Sequence, residues 1–128
     1  MNKSKACIFC EIATNDRVID QTDHSFVIRD AFPVTEGHTL IIPKRHVADY
    51  FNLNPNETSD IQDLLQKHKA LIEGNDASVD GFNIGINVGA TAGQTVFHVH
   101  VHLIPRRIGD VDNPKGGVRG VIPEKQKY

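Results

Sequence analysis

Three histidines alternate with apolar residues in one short segment of the chain. His98, His100 and His102 are separated only by Val99 and Val101. Because alternate residues of a β-strand share a face, the segment predicts three imidazoles in a row with the valines packed behind them. Such a row is costly in an apolar core unless each ring has a partner, so the pattern favours chemistry over a purely structural role.

Two kinds of chemistry suit this row of imidazoles. A neutral imidazole near pH 7 can attack phosphorus, and its neighbours can carry a proton or stabilise charge. Alternatively, all three histidines can hold a zinc ion that activates water, because His-x-His on a strand has good metal-binding geometry. The loop before the row, residues 89–95, supplies small residues and backbone N–H groups that let a phosphate approach, with Gln94 and Thr95 as added hydrogen-bonding side chains.

Cys7 and Cys10 form a second candidate site, a Cys-x-x-Cys pair. A disulfide is not expected in a cytoplasmic chain, and no predicted strand precedes the pair to suggest a thioredoxin-like redox motif. The pair can supply half of a tetrahedral zinc site, for which histidine is the plentiful residue type for the two missing ligands. Two thiols packed as small hydrophobic groups are the remaining alternative.

The elements that must position these residues follow from periodicity and turn signals. Four segments have the apolar content or alternation of strands: residues 25–28, 39–42, 82–88 and 96–104. The last is expected to end at Pro105 and to pair antiparallel with residues 82–88 across the glycine-rich loop. One main helix is expected after Asn54, with Pro55 at its first position, Glu57 reaching back to the cap and Gly74 as its stop. This order of elements predicts an α+β fold with a mainly antiparallel sheet.

Length and composition narrow the class of protein. A chain of 128 residues fits one domain, and the sequence shows neither a linker nor an internal repeat. A net charge of −2 and a pI of about 6.4 argue against a strongly basic nucleic-acid binder, and no apolar stretch approaches a membrane span. No apolar segment of a secretory signal follows the N-terminal lysines, so a cytoplasmic protein without a nucleic-acid or membrane partner is expected.

Several motifs together resemble the histidine-triad (HIT) family. Residues 98–104, His-Val-His-Val-His-Leu-Ile, match the pattern His-φ-His-φ-His-φ-φ, in which φ is apolar, and residues 93–96, Gly-Gln-Thr-Val, precede it as in the family. Asp30, Pro33, residues 37–40 and residues 42–46 fall where the family's upstream block falls. The resemblance covers about residues 7–106 and leaves a tail, residues 107–128, in the family's most variable region. It implies a single HIT-like domain, 1–128, whose five-stranded sheet extends across a homodimer.

The resemblance also implies an activity, a nucleotide hydrolase or transferase acting at an α-phosphate. His100 would be the nucleophile and form a nucleotidyl-histidine, from which water releases the nucleoside monophosphate. His102 would contact the phosphate and the leaving group. His98 would position His100, in part through its backbone carbonyl, and His38 would hold the histidine network from behind. The implied substrates are purine nucleotides: dinucleoside polyphosphates, nucleoside phosphoramidates or adenylylated small molecules.

Seven further residues are implied as nucleotide contacts: Asp30 for the ribose hydroxyls, Ile8, Phe9 and Leu40 around the base, and Asn87, Gln94 and Thr95 at the phosphate. Some bacterial members of the family close a Cys-x-x-Cys zinc site with two histidines, which implies structural zinc on Cys7, Cys10, His46 and His98. Magnesium is a possible companion of a polyphosphate substrate. A nucleotide-binding regulatory adaptor with slow turnover and the three-histidine zinc enzyme are the competing hypotheses.

Other polar residues have simpler explanations. His24 is expected to be solvated in a turn, and His68 is expected to pack at the edge of the helix's apolar face. Asp30 can cap the turn that follows it instead of binding ribose. Arg106 and Arg107 are equally well explained as polyphosphate contacts or as a solvated pair.

Overall fold

The computed structural model of the protein describes residues 7–128. Five strands form one sheet: β1 (Asp20–Gln21), β2 (Ser25–Arg29), β3 (Thr39–Pro43), β4 (Val79–Gly85) and β5 (Val101–Arg107). The helices within these residues are α1 (Ile8–Ile12), α2 (Pro55–Asn75) and the short 3₁₀ helices Tyr50–Asn52, Ala90–Ala92, Gly117–Val121 and Pro123–Lys125. The strand order is β1-β2-β3-β5-β4, and all neighbouring pairs are antiparallel. The predicted α+β class, with one main helix and a five-stranded sheet, is confirmed.

The long helix α2 begins where its capping residues place it. The Asn54 side chain accepts a hydrogen bond from the Glu57 N–H, and the Glu57 carboxylate accepts one from the Asn54 N–H, both at 2.9 Å. This reciprocal pair satisfies two backbone donors that the first helical turn leaves free. The expected stop at Gly74 is wrong by one residue, because the helix includes Gly74 and ends at Asn75.

The two faces of the sheet are covered by different helices. On one face, Ile61 and Leu64 of α2 pack on Val27, Ile41 and Val101. The opposite face meets α1, in a cluster of buried residues from both elements: Cys7, Phe9, Cys10, Ile12, Phe26, Ile28, Leu40 and Ile42. Alternate strand residues therefore point to opposite helices, as the pleat requires. His102 lies opposite Leu40 in the β3–β5 pair and shares the α1 face with it.

The strand that carries the histidine pattern begins later than predicted. The sequence indicates a strand over residues 96–104, whereas β5 starts at Val101 and continues through Pro105 to Arg107. The pairing of β3 with β5 ends at Val101, and the pairing of β4 with β5 ends at His102. No neighbouring strand therefore accompanies the residues that precede Val101. The Val99 N–H instead donates to the Val47 carbonyl at 2.7 Å. His98 and His100 thus precede the strand.

Pro105 fits inside β5 because β3 no longer accompanies that part of the strand. The β3–β5 pairing ends at Thr39 opposite Leu103, two residues before Pro105, so the missing N–H has no β3 carbonyl to satisfy. Gly37 lies against the proline ring: with φ at +91°, a Cβ there would stand 3.3 Å from the Pro105 Cγ. The close approach and the left-handed backbone both favour glycine at this position.

Two more strands differ from expectation. β4 spans Val79–Gly85 rather than residues 82–88, so it starts and ends three residues earlier. β1 has only two residues and was not predicted, because a two-residue strand shows no alternation. The tail, expected to be mostly loop, contains two short 3₁₀ helices joined by hydrogen bonds from Arg119 to the Lys125 and Gln126 carbonyls. No helix within residues 7–128 is long and apolar enough to cross a membrane.

Candidate metal cluster and histidine cleft

The first histidine of the row is turned away from the other two. His98 is fully buried, whereas His100 and His102 line an open cleft of about 470 Å³. The His100 and His102 ring centroids are 5.3 Å apart. Some histidine, cysteine and carboxylate side chains lie close enough to share one metal ion. Within residues 7–128, no such group contains all three of these histidines. The structure therefore does not support the three-histidine zinc enzyme.

The four ligands predicted for the Cys-x-x-Cys zinc site, which include His98, do converge. We call Cys7, Cys10, His46 and His98 the metal cluster; their ligand atoms all lie within 4.8 Å of one another. The His98 Nδ1 is 3.3 Å from the Cys7 Sγ, 3.6 Å from the Cys10 Sγ and 3.3 Å from the His46 Nδ1. The Cys10 Sγ is also 3.3 Å from the His46 Nδ1. Four soft and borderline donor atoms at these separations can hold one metal ion.

The hydrogen bond on the far side of the His98 ring fixes which nitrogen faces the cluster. The His98 Nε2–H donates to the Pro43 carbonyl at 2.7 Å, which leaves the Nδ1 lone pair for a ligand. Burial lowers the pKa of His98, which keeps the ring neutral, as a metal ligand must be. Both cysteines are buried free thiols, so neither a disulfide nor an exposed redox pair is present.

His100 has the opposite tautomer. Its Nδ1–H donates to the backbone carbonyl of His98 at 2.8 Å, so a neutral ring presents the Nε2 lone pair instead. The phenyl ring of Phe9 packs on the His100 imidazole at 4.9 Å between centroids, and on the His98 imidazole at 6.0 Å. The metal cluster and the half-buried ring of His100 are thus joined through His98 and Phe9.

The orientation of His102 is set by a chain of hydrogen bonds that starts in a loop. The Val34 N–H donates to the His38 Nδ1 at 3.0 Å, so a neutral His38 carries its proton on Nε2. That Nε2–H faces the His102 Nδ1 at 2.9 Å, with the Asp30 carboxylate 3.5 Å away. His102 accepts at Nδ1 and keeps its own proton on Nε2. We call His38, His100 and His102 the cleft histidines.

Burial keeps His38 and His102 uncharged. It lowers the pKa of His102 to about 4, and repulsion from His100 and His38 acts in the same direction. Burial also lowers the pKa of His38, against the attraction of the Asp30 carboxylate. At neutral pH His102 is therefore a hydrogen-bond donor through Nε2 and not a cation.

The cleft has an apolar wall and a polar end. Six predicted contacts line it: Ile8, Phe9, Asp30, Leu40, Asn87 and Thr95. The Asp30 Oδ1 accepts a hydrogen bond from the Phe32 N–H at 2.8 Å, as in the capping alternative, while Oδ2 is the oxygen near His38. Gly93 forms part of the polar end with φ at +96°, a conformation that favours glycine. A larger cavity, about 660 Å³, contains neither His100 nor His102.

Gln94 does not lie in the cleft. Its side chain is buried, accepts a hydrogen bond from the Gly89 N–H, and donates to the carbonyls of Ala48 and Val96. All of its amide hydrogen-bonding groups are therefore engaged in holding the glycine-rich loop. The expected direct contact with phosphate is corrected to a structural role for this residue.

The other polar residues have partners outside the cleft. His68 is buried with its Nε2 2.8 Å from an Asp20 carboxylate oxygen, so a hydrogen bond to that carboxylate, and not apolar packing alone, accounts for it. Arg106 pairs with Asp110 and Arg107 pairs with Asp76, so neither is a free cation at the cleft. Cleft-lining residues that sequence reasoning missed include Arg17, Ile12, Ile28, Phe32, Val34 and Val96. The alternation of apolar residues could have suggested Ile28, but nothing local marks Arg17.

The antiparallel α+β fold thus places two histidines of the row, His100 and His102, in a cleft and the third, His98, in a cysteine–histidine cluster. A HIT domain model matches residues 12–109, so the chain belongs to the HIT domain family.

Solved structures and a curated relative agree with this assignment. A HIT family protein from Bacillus anthracis is 40% identical with a TM-score of 0.76, over 84% of this chain and 78% of that one. A Zn-bound histidine triad family protein from Mycobacterium smegmatis is 38% identical with a TM-score of 0.75, over 82% of this chain and 78% of that one. An asymmetrical bis(5'-nucleosyl)-tetraphosphatase from Schizosaccharomyces pombe is 38% identical over 83% of this chain and 58% of its own length.

Proposed function

We propose that the protein hydrolyses nucleotides at the α-phosphate through a covalent intermediate on His100. The observation that carries the proposal is the His100 Nδ1–H bond to the His98 carbonyl at 2.8 Å, which leaves the Nε2 lone pair as a nucleophile in the cleft. The proposed substrates are purine dinucleoside polyphosphates or nucleoside phosphoramidates. The likeness to an asymmetrical bis(5'-nucleosyl)-tetraphosphatase supports the first class.

In the first step the His100 Nε2 attacks the α-phosphorus. A P–N bond forms, the bond from phosphorus to the leaving group breaks, and the electron pair departs with that group. The leaving group is a nucleoside polyphosphate anion from a dinucleoside polyphosphate. From a phosphoramidate it is an amine, which takes up one proton from solvent as it departs. His102 presents Nε2–H, a donor suited to a phosphate oxygen whose charge grows in the transition state. His38 acts through His102 by holding its tautomer and is a positioning residue.

In the second step water attacks the same phosphorus and the P–N bond breaks. Its electron pair returns to the His100 Nε2, one proton of the water goes to solvent, and nucleoside monophosphate is released. The His98 carbonyl still holds the Nδ1 proton, so His100 ends in its starting tautomer. Asn87 and Thr95 line the same cleft as the cleft histidines and are proposed phosphate contacts.

The nucleoside is proposed to lie along the apolar wall of the cleft. Ile8, Phe9 and Leu40 would contact the base, and the Asp30 carboxylate would accept hydrogen bonds from the ribose hydroxyls. These assignments rest on the lining of the cleft and on the resemblance to the family.

We further propose that the metal cluster holds structural zinc. Tetrahedral zinc with bonds of about 2.0 Å to nitrogen and 2.3 Å to sulfur sets its ligand atoms about 3.3–3.8 Å apart, close to the separations in the cluster. When bound, zinc supplies charge to balance two thiolates and ties α1 to the sheet. A Zn-bound relative supports this identity. Free thiols as ligands suit a reducing compartment, which supports a cytoplasmic protein.

A homodimer is proposed through β4, one of the two edge strands of the sheet. It has seven residues, and its Ile84 side chain is about half exposed, which leaves an unpaired edge with an apolar side chain. A second copy related by a twofold axis would pair with this edge and cover it.

The test is single-turnover release of nucleoside monophosphate by the wild type and by His100→Ala. The panel contains diadenosine tetraphosphate, an adenosine phosphoramidate and an adenylylated lysine. We expect release by the wild type and a loss of roughly 10⁴-fold or more in a folded His100→Ala protein. Equal release by both would remove His100 as the nucleophile. Monophosphate binding without release by either would favour the regulatory adaptor instead.

A further inference from the structure

One guanidinium at the cleft has no part in the proposed reaction. Arg17 lies between α1 and β1, is half-buried, and lines the cleft together with apolar residues such as Ile12 and Ile28. Its Nη2 donates to the backbone carbonyl of Arg29 at 3.1 Å. This bond holds the side chain at the end of β2.

The strand order places Arg17 at the end of the cleft away from His102. Its anchor, Arg29, is the last residue of β2, whereas His102 is on β5, and β3 lies between these two strands. Neighbouring strands are about 4.8 Å apart, so these two walls are separated by about 10 Å. A nucleotide with its α-phosphate at His100 and its ribose at Asp30 therefore reaches Arg17 with its base.

Most of the hydrogen-bonding capacity of this side chain is free. A guanidinium has five N–H donors, and the Arg29 carbonyl is the one acceptor bonded to the Arg17 side chain within residues 7–128. No carboxylate of the described chain forms an ion pair with it either. A half-buried cation with unused donors, facing a cleft, is suited to acceptors on a ligand.

We propose that Arg17 is a specificity-determining residue that selects 6-oxopurine nucleotides, those of guanine and hypoxanthine, over adenine nucleotides. This inference rests on the proposed function. Guanine presents O6 and N7 as adjacent acceptors, and a guanidinium fork donates to both. Adenine places an N6 amino group beside N7, so one N–H of the fork would face another donor. The apolar wall gives stacking to either base, and the discrimination comes from this edge contact.

The experiment measures binding of the reaction products GMP, IMP and AMP to the intact, metal-loaded protein by calorimetry. We expect GMP and IMP to bind about tenfold or more tightly than AMP, the range of one good bidentate base contact. A 7-deaza-GMP, which lacks the N7 acceptor, is expected to lose most of that advantage on the wild type, without any change to the protein.

Arg17→Gln then assigns the contact to its residue. In this variant we expect the ratio of GMP affinity to AMP affinity to fall to about two or less, mainly because GMP binds more weakly. We also expect 7-deaza-GMP and GMP to bind this variant equally well. The matched control is Arg29→Gln. The Arg29 guanidinium is nearby but lines the larger cavity and not this cleft, so the ratio of GMP affinity to AMP affinity in this variant should equal that of the wild type.

The outcomes separate this inference from the function on which it rests. Equal binding of GMP and AMP by the wild type would overturn the role of Arg17 and leave the proposed function intact. An equal loss of affinity for all three nucleotides in Arg17→Gln would also overturn it, because base-independent stacking would then explain the residue. Absence of binding by every nucleotide would contradict the proposed function itself, and the inference with it.

Discussion

The metal cluster and the cleft histidines use the same residue type for different tasks. The cluster is closed: three of its four members are buried, and every ligand atom faces another ligand atom. The cleft is open, with His100 and His102 on its lining. The two regions are adjacent, since the His98 carbonyl bonds the His100 ring.

The two regions differ in which ring nitrogen of the histidine is hydrogen-bonded to a backbone carbonyl. A carbonyl on Pro43 takes the Nε2–H of His98 and leaves Nδ1 for a metal. The carbonyl of His98 takes the Nδ1–H of His100 and leaves Nε2 for a substrate. Two histidines in one repeating pattern thus acquire opposite tautomers, and the position of a backbone acceptor decides the chemistry of each.

Removing the metal is expected to have the largest effect, and to act on stability. An ion present at 1,000 times its dissociation constant contributes about 4 kcal/mol to the free energy of unfolding, which corresponds to a fall in Tm of roughly 10–20 °C for a chain of this size. Scanning calorimetry before and after chelation, and of Cys10→Ser, measures this change. His102→Asn serves as the cleft control, with a smaller shift in Tm and no change in metal content. Immediate loss of turnover on chelation at unchanged Tm would show that the metal is catalytic. It would contradict the division into a structural cluster and a reactive cleft.

Breaking the hydrogen-bond chain behind His102 is expected to reduce turnover with the metal cluster intact. In His38→Ala the Nδ1 of His102 loses its donor, so the ring is no longer held as the Nε2–H tautomer. We expect kcat to fall by roughly 100-fold, and the ¹⁵N shifts of His102 to show a mixture of tautomers. His38→Gln, which restores an N–H donor, should recover part of both. An unchanged His102 tautomer in His38→Ala would show that the chain does not set it.

The smallest of the three effects is a pH dependence of stability that belongs to the cleft. The pKa of His102 is about 4 in the folded protein and 6.5 for an ordinary histidine. Below about pH 6.5 the unfolded chain binds a proton that the folded one does not, so the free energy of unfolding falls as the pH goes from 6.5 toward 4. The full shift equals about 3.4 kcal/mol, and solvent screening at an open cleft reduces this to about 1–2 kcal/mol.

Urea denaturation at several pH values, with zinc present, measures that dependence. His102→Asn should flatten it between about pH 4 and 6.5, whereas the same change at the exposed His24 should leave it as in the wild type. Parallel curves for the wild type and His102→Asn would assign the acid sensitivity to another group.

Local signals predicted the parts of the molecule that depend on local contacts. The helix start at Asn54 follows from two residues three positions apart, Asn54 and Glu57, that hydrogen-bond each other. The fold class follows from the order of elements. The four metal ligands were identified from the resemblance to a family, and their ligand atoms do converge.

The remaining features depend on contacts between distant parts of the chain. β5 begins at Val101 because β3 and β4 end beside it, which alternation within residues 96–104 cannot show. Gln94 is drawn from the cleft by the carbonyl of Ala48, 46 positions away. The Arg17 side chain is held at the cleft by the carbonyl of Arg29, at the end of β2 and 12 positions away. In each case the partner, and not the residue type, determines the position of the side chain.

The metal cluster also constrains when the protein can finish folding. Its contacts join Cys7 to His98, 91 positions apart, and His46 to His98, 52 positions apart. During synthesis at 5–20 residues per second, roughly 5–20 s pass between the two cysteines and the last ligand. Through that interval the nascent chain carries an incomplete site whose two thiols are available to other metal carriers. The four-ligand cluster can therefore form only after His98 has been synthesised and has reached the two thiols and His46.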